Sequence, residues 1–456
     1  MLCEKCHHCG LCEGDGLNAK NDASMRIVRS IILPFEPSEK DEIGLGIAID
    51  IGTTTIVCAS YSLCDEKQLS LVSQANKQRK YGSDVLSRIQ FASNSPDGAK
   101  ILHDTIALQI NSLLSRLLSL TALKLSRGMR AQVSRVVVTG NTTMLSIALS
   151  KSLSSLSIAP FTPPSFFDME VPYSDFIKDT KLPFSAIPLT TPLYFPPIIS
   201  AFVGADTVCA MVATGFGLTS KPKMLADIGT NCEMAIQTKE GEIICTASSA
   251  GPAFEGGGVS FGMSATEGAI ASSAIKDDTL GGKSIEYTVI GKGRAKGICG
   301  TGLLSVIHSF LELELIDNYG TIQGENIEKI LLRDGVSLLQ DDIRSIQLAK
   351  AAVRTGLDYL SSYEKSEKNK SDMSLYLAGG FGTAVDISDV VSLGMIEPLL
   401  KDNAVAVGNA ALAGSVAILL RDEYKMRAKE IAKKAKSVNL ATIASFQDSF
   451  INNINF

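Results

Sequence analysis

The tetrad Asp50-Ile51-Gly52-Thr53 recurs as Asp227-Ile228-Gly229-Thr230, each copy directly following an apolar run. A strand that turns at Gly exposes backbone N–H groups at the bend, and the hydroxyls of Thr53, Thr54 and Thr55 add further donors at the first copy. Such a turn holds a phosphate. The Asp at each strand end stands where it coordinates Mg²⁺, directly or through water. A single Asp-Ile-Gly-Thr is weak evidence, since many hairpins place Gly after Asp. Two copies in one chain predict a duplicated α/β protein whose two similar halves grip the phosphates of a nucleotide. A third element fits the same ligand: the apolar run 375–377 leads into Gly379-Gly380-Phe381-Gly382, where small residues let an adenine and ribose come close, and Gly408-Asn409-Ala410 opens the next helix.

Composition limits the alternatives. The 456 residues are 45% hydrophobic and 20% charged, which excludes bulk disorder. A net charge of −5 argues against a nucleic-acid coat. No export signal is evident, so a cytoplasmic protein is expected. The thiols Cys58, Cys64, Cys209, Cys232, Cys245 and Cys299 lie in apolar runs and are expected to be buried and reduced. Residues 403–420 carry no charge, but Gly408, Asn409 and Gly414 interrupt the stretch. A buried helix is expected there and no membrane span.

Cys3, Cys6, Cys9 and Cys12 stand at strict C-x2 spacing. So many thiolates in so short a stretch of a cytoplasmic chain call for a metal or a cluster. The first three match the start of a ferredoxin-type 4Fe–4S run, although the usual three-residue gap and following Pro are missing, leaving Cys12 either fourth ligand or free. Tetrahedral zinc is satisfied equally well by four thiolates. Residues 1–20 thus form a cysteine-rich head and 21–43 a tether. A first lobe is expected over 44–203, with an ordered Pro-rich excursion at 151–200 that buries Phe161, Phe166, Phe167, Tyr194 and Phe195. A second lobe is expected over 204–420 and, over 421–456, a C-terminal tail that packs on the ATPase domain and is basic and helical from Arg421 to Lys436.

The ordered set Asp50-Gly52-Thr53-Thr54, Asp227-Gly229-Thr230-Asn231 and Gly379-Gly380-Phe381-Gly382 resembles the actin, sugar-kinase and heat-shock-chaperone ATPase superfamily. That resemblance implies two ribonuclease-H-like lobes, an actin-like ATPase fold with ATP and Mg²⁺ in the cleft. Residues 204–214 and 297–303 then correspond to small-residue connecting helices. The segments 76–89 (NKQRKYGSDVLSRI), Gly140-Asn141-Thr142-Thr143-Met144, Pro160-Phe161-Thr162-Pro163, 227–233, 249–256 and Phe446-Gln447-Asp448-Ser449-Phe450 resemble one branch, the reductive activators of corrinoid proteins. Members of that branch usually carry a longer 2Fe–2S domain and a middle domain ahead of the ATPase.

The resemblance implies an ATP-dependent reductive activator that returns an inactive Co(II) corrinoid on a partner protein to Co(I). It favours iron–sulfur over zinc in the head and implies a low-potential electron donor and a homodimer. Asp50 and Asp227 are the candidate Mg²⁺ ligands. Glu255 orients water or Mg²⁺, meets the partner, or simply accepts loop N–H bonds. Asn141 bonds phosphate or caps the following helix. Asn231, rather than Glu233, is expected to face the ligand. Two other readings stand beside this one. In a small-molecule kinase of the same superfamily, Asp227 acts as the base toward a hydroxyl substrate. A zinc-stabilised ATP-binding scaffold transfers no electron.

Overall fold

Every residue of strand β1 (Leu45–Ile51) is buried except Asp50, as expected of an apolar run covered on both faces. The computed structural model describes residues 44–124, 132–277, 282–324, 328–380 and 385–456. The cysteine head and the tether lie outside these described residues, as do Phe381 and Gly382. The described chain divides into two units, 44–219 with Ala410–Ser437, and Ser220–Asn409 with Val438–Phe456.

In the first unit β1 pairs antiparallel with β2 (Thr55–Ser62), which pairs antiparallel with β3 (Gln68–Ala75). On its other side β1 runs parallel to β4 (Val133–Gly140). The edge is completed by β5 (Met169–Pro172) and β6 (Pro192–Phe195), in the order β3-β2-β1-β4-β6-β5. The helix Gly98–Ala122 buries Leu102, Ile106, Ile110, Leu113 and Leu117 against the sheet, one face recurring at helical spacing. The all-buried helix Ala410–Leu420 packs beside β1, β4 and the helix Ala205–Ala213. Gly414 lies so close to the Cys209 backbone that a side chain there would strike it.

The second unit repeats the plan. β7 (Lys223–Ile228) pairs antiparallel with β8 (Cys232–Gln237), and β8 with β9 (Ile243–Ser248). A small sheet intervenes, made of β10 (Ala269–Asp277), β11 (Lys283–Val289) and β12 (Gly297–Ile298), followed by the hairpin β13 (Lys329–Leu331) and β14 (Ser337–Leu339). Then β15 (Ser374–Ala378) runs parallel to β7, and β16 (Ala404–Gly408) parallel to β15. Each unit therefore holds an antiparallel meander whose first strand is also flanked by a parallel one, and each Asp-Ile-Gly-Thr closes the first hairpin of its meander.

Several expectations differ from this arrangement. The segments 204–219 and 410–420, expected in the second lobe, belong to the first unit. The uncharged run 403–420 is not one helix, because 404–408 is drawn into the sheet as β16 and the helix starts only at Ala410. Among the described residues no helix is long and apolar enough to cross a membrane. Residues 297–298 likewise form β12, and the helix Gly300–Glu312 begins after Cys299. In the Pro-rich excursion Phe167, Tyr194 and Phe195 are buried, but Phe166 is 60% exposed, since of the two adjacent rings only Phe167 turns inward. Cys64 sits in the β2–β3 turn and is exposed, whereas the other five described thiols are buried.

The segment 410–437 is also pinned electrostatically. Arg421 meets the fully buried Glu66 carboxylate through two hydrogen bonds of 3.2 and 3.0 Å. Removing one partner of a buried pair leaves the other charge uncompensated. Arg421→Ala is expected to cost about 3–5 kcal/mol in urea unfolding, and Glu66→Gln in the same chain to recover part of it. An unchanged unfolding midpoint for the single variant would refute the pin.

Candidate functional site

The turn between β1 and β2 is closed by the Gly52 N–H donating to the Thr55 carbonyl at 3.0 Å. Asp50 lies opposite Val57 on one side and Thr139 of β4 on the other, which sets its carboxylate at the strand end beside Gly52, Thr53, Thr54 and Thr55. Asn141 follows β4 directly. Its Oδ1 accepts from the Met144 N–H at 2.9 Å, capping the helix Thr142–Ala148, and its Nδ2 donates to Thr53 Oγ1 at 3.0 Å. The cap reading of Asn141 thus holds, and the same side chain also orients a turn hydroxyl.

Sequence reasoning missed Asp206, which lies in the first turn of the helix Ala205–Ala213. Its Oδ1 accepts from the Thr207 N–H at 2.7 Å. Burial pushes its carboxyl up to about 6 against the pull of the Thr207 hydrogen bonds. The buried Cys209 thiol feels both Asp206 and Asp50, and desolvation with these charges drives it well up, so it stays a neutral thiol. Both carboxylates thus act on one buried thiol. The signal in the sequence was present but plain, an Asp directly after Gly204-Ala205 in a segment read only as a connecting helix.

Sequence reasoning also gave the segment 76–89 no task. The Asn76 Nδ2 donates to the Gly52 carbonyl at 2.9 Å, and the Asn76 N–H to the Thr54 carbonyl at 2.8 Å. Arg88 Nη2 donates to the Thr53 carbonyl at 2.5 Å.

In the second unit the β7–β8 turn closes through the Gly229 N–H on the Asn231 carbonyl at 2.9 Å. Asp227 faces Glu233 on β8 and Ala378 on β15. Thr230 donates from Oγ1 to Glu255 Oε2 at 2.9 Å, and its carbonyl accepts from the Gly251 N–H at 2.9 Å. The short 3₁₀ turn Pro252–Glu255 thus places an exposed carboxylate on the turn. After β15 the chain bends at Gly379 with φ +94°, where a Cβ would stand 2.8 Å from Asp227 Oδ1, so only glycine lets this bend approach the carboxylate. Gly380 follows, exposed, and Asn409 follows β16. The structure thus gathers Asp227, Gly229, Thr230, Asn231, Glu255 and Gly379 around one turn, and Asp50, Gly52, Thr53, Thr54, Thr55 and Asn141 around the other.

His103 and His308 are helical as expected, with His103 on the Ile147 carbonyl and His308 on Asp389. Cys232 is buried and its thiol is pushed well up by desolvation with Glu233 and Asp227 nearby. Among the described residues no group of three or more His, Cys, Asp or Glu converges as a metal site. The candidate ligands Cys3, Cys6, Cys9 and Cys12 lie outside the described residues.

Two meanders of one plan, each bearing an Asp-Gly-Thr turn, define an actin-like ATPase of the ASKHA fold. The comparisons with known proteins agree. The model of the C-terminal domain of RACo, the ASKHA domain, matches residues 221–456, and the model of the RACo middle region matches 45–219. The chain belongs to the RACo family. The stretch read as a first lobe is therefore the counterpart of that family's middle region.

The chain is 28% identical over 452 residues to the corrinoid activation enzyme RamQ of Eubacterium limosum, covering 93% of this chain and 72% of that protein. It is 27% identical over 435 residues to a [Co(II) methylated amine-specific corrinoid protein] reductase of Methanosarcina barkeri, covering 89% and 76%. A solved structure of a reductive activator for corrinoid, iron-sulfur protein superposes with a TM-score of 0.77 at 28% identity, covering 91% of this chain and 67% of that one.

The raised carboxyl of Asp206 has a stability consequence. Its folded value near 6 lies above the ordinary 3.8, so the folded state holds this proton more tightly and its contribution to stability falls as pH rises from about 4 through 6. Asp206→Asn is expected to melt higher than the parent at about pH 7.5 in metal-free buffer, with the gap closing toward pH 4. A gap of equal size at both ends would show that Asp206 is not held in this way.

Proposed function

We propose that this chain is an ATP-dependent reductive activator that returns the Co(II) corrinoid of a partner methyltransferase-system protein to Co(I). The observation that carries the reading is the matched pair of Asp-Gly-Thr turns in a RACo-family chain. Similarity to corrinoid activation and reductase proteins along about nine-tenths of its length supports it. The step adds one electron to cobalt. Co(I) corrinoids lie at very low potential, so the uphill transfer requires coupling to a downhill process, which nucleotide turnover supplies.

The chain's residues take the following parts. Asp50 and Asp227 hold Mg²⁺. The turn N–H groups with the Thr53, Thr54, Thr55 and Thr230 hydroxyls receive phosphate oxygens, so charge is met by fixed donors rather than by a covalent nucleophile. Asn141 aims the Thr53 hydroxyl. Glu255, held by Thr230, orients a water or a Mg²⁺ ligand. Gly229 and Asn231 shape the second turn. Gly379, Gly380, Phe381 and Gly382 with Asn409 receive the nucleoside.

The thiolates of Cys3, Cys6, Cys9 and Cys12 hold the electron-carrying group in a head at 1–20, tethered by 21–43. An iron–sulfur cluster bound there supplies one-electron transfer, with electrons from a low-potential cellular donor. A homodimer in the cytoplasm completes the proposal.

The deciding experiment is anaerobic metal analysis with a visible and EPR spectrum before and after dithionite, followed by a cob(II)alamin reduction assay with and without ATP. Roughly four irons per chain and a reducible signal support the electron carrier, and one zinc with no colour removes it. Asp50→Ala and Asp227→Ala are each expected to abolish Mg·ATP binding in calorimetry while metal content stays at the parent level. Normal ATP affinity in both variants would sink the two-turn model.

A further inference from the structure

Arg88 is fully buried in the first unit. Its donors are distributed over four acceptors, none of them a carboxylate. Nη2 donates to the Thr53 carbonyl at 2.5 Å and Nε to the Gly82 carbonyl at 3.0 Å. Nη1 reaches Gln78 Oε1 at 3.4 Å and Met144 Sδ at 3.0 Å. The nearest acid acting on it, Asp84, uses its carboxylate to cap the helix Val85–Asn94 through the Ser87 N–H, and among the described residues Arg88 makes no ion pair. Burial lowers the guanidinium to about 10, with Arg79 pushing the same way against Asp84, so it remains charged near neutrality. A desolvated cation with no anion beside it is unfavourable unless something else uses its charge.

The position of the charge shows what uses it. The four carbonyls of the turn are all engaged: Gly52 by Asn76 Nδ2, Thr53 by Arg88, Thr54 by the Asn76 N–H, and Thr55 by the Gly52 N–H within the turn itself. Carbonyl oxygens repel an anion, and each one bonded to a donor is fixed in direction and has its negative charge partly offset. The second turn serves as an internal control, since there Thr230 is met by the Gly251 amide and by the Glu255 carboxylate rather than by a cation.

We propose that Arg88, with Asn76, is a positioning residue for the Gly52–Thr55 turn, a buried cation that orients the turn carbonyls and stabilises the phosphate anion that the turn receives. This rests on the nucleotide-binding reading above and deepens it.

The test is calorimetry of the full chain with Mg·ATP and, separately, with adenosine, each variant titrated below its own melting temperature. Arg88→Met keeps most of the volume and removes charge and donors. It is expected to weaken Mg·ATP binding about a hundredfold and to leave adenosine binding within about twofold. Arg88→Lys keeps the charge but cannot serve both the Thr53 and Gly82 carbonyls, so a loss of about tenfold for Mg·ATP alone is expected. Unchanged Mg·ATP affinity in Arg88→Met, or parallel loss of Mg·ATP and adenosine, would make Arg88 a packing residue and overturn the proposal. If Arg88→Met does not fold, parent-like Mg·ATP affinity in Arg88→Lys overturns it equally. A parent chain that binds no Mg·ATP would instead remove the nucleotide reading on which the proposal stands.

Discussion

The hydrogen bond that closes each Asp-Gly-Thr hairpin, Gly52 N–H to the Thr55 carbonyl and Gly229 N–H to the Asn231 carbonyl, is the constraint on which the rest of the structure depends. It fixes the end of the first strand of each meander, and with it the depth at which Asp50 and Asp227 stand. The parallel partner of each first strand then delivers the next functional element to the same end. β4 delivers Asn141 beside Thr53, and β15 delivers Gly379 against Asp227. In open sheets ligands are met beyond the carboxyl ends of parallel strands, and each Asp-Gly-Thr turn stands at such an end.

The two turns share a plan but differ in electrostatics. The first is bordered by Asp50, with the buried Arg88 on its Thr53 carbonyl. The second is bordered by Asp227 and carries Glu255 on its Thr230 hydroxyl. Duplication of a fold has therefore not produced duplication of a site.

The late segment 410–437 shows how a chain read in order misleads about its units. The helix Ala410–Leu420 is apolar on every face, so it requires cover all round, and it finds this beside β1, β4 and the helix Ala205–Ala213 together with the helix Asp422–Lys434 that follows it. Small residues at the contact, Gly414 against the Cys209 backbone, permit the close approach. The Arg421–Glu66 pair then ties the chain immediately after this helix to the β2–β3 region.

Much of this was legible in the residues themselves. The repeated Asp-Ile-Gly-Thr predicts two hairpins because Asp, Gly and Thr at a strand end act locally, through backbone freedom and short side chains, and a local signal survives without tertiary context. The same holds for the apolar run that precedes each copy and becomes the strands Leu45–Ile51 and Lys223–Ile228. What the sequence could not contain was partnership across the chain. Asp206 and Arg88 look like ordinary helical residues, and only folding buries one near the Cys209 thiol and sets the other on the Thr53 carbonyl of the first turn. Phe166 and Phe167 are indistinguishable as a dipeptide, and only the packing of the Pro-rich segment turns one ring inward. Uncharged composition marked 403–420 as buried but could not divide it into a strand and a helix, because burial is a property of residue type, whereas strand pairing with β15 is a property of the folded sheet.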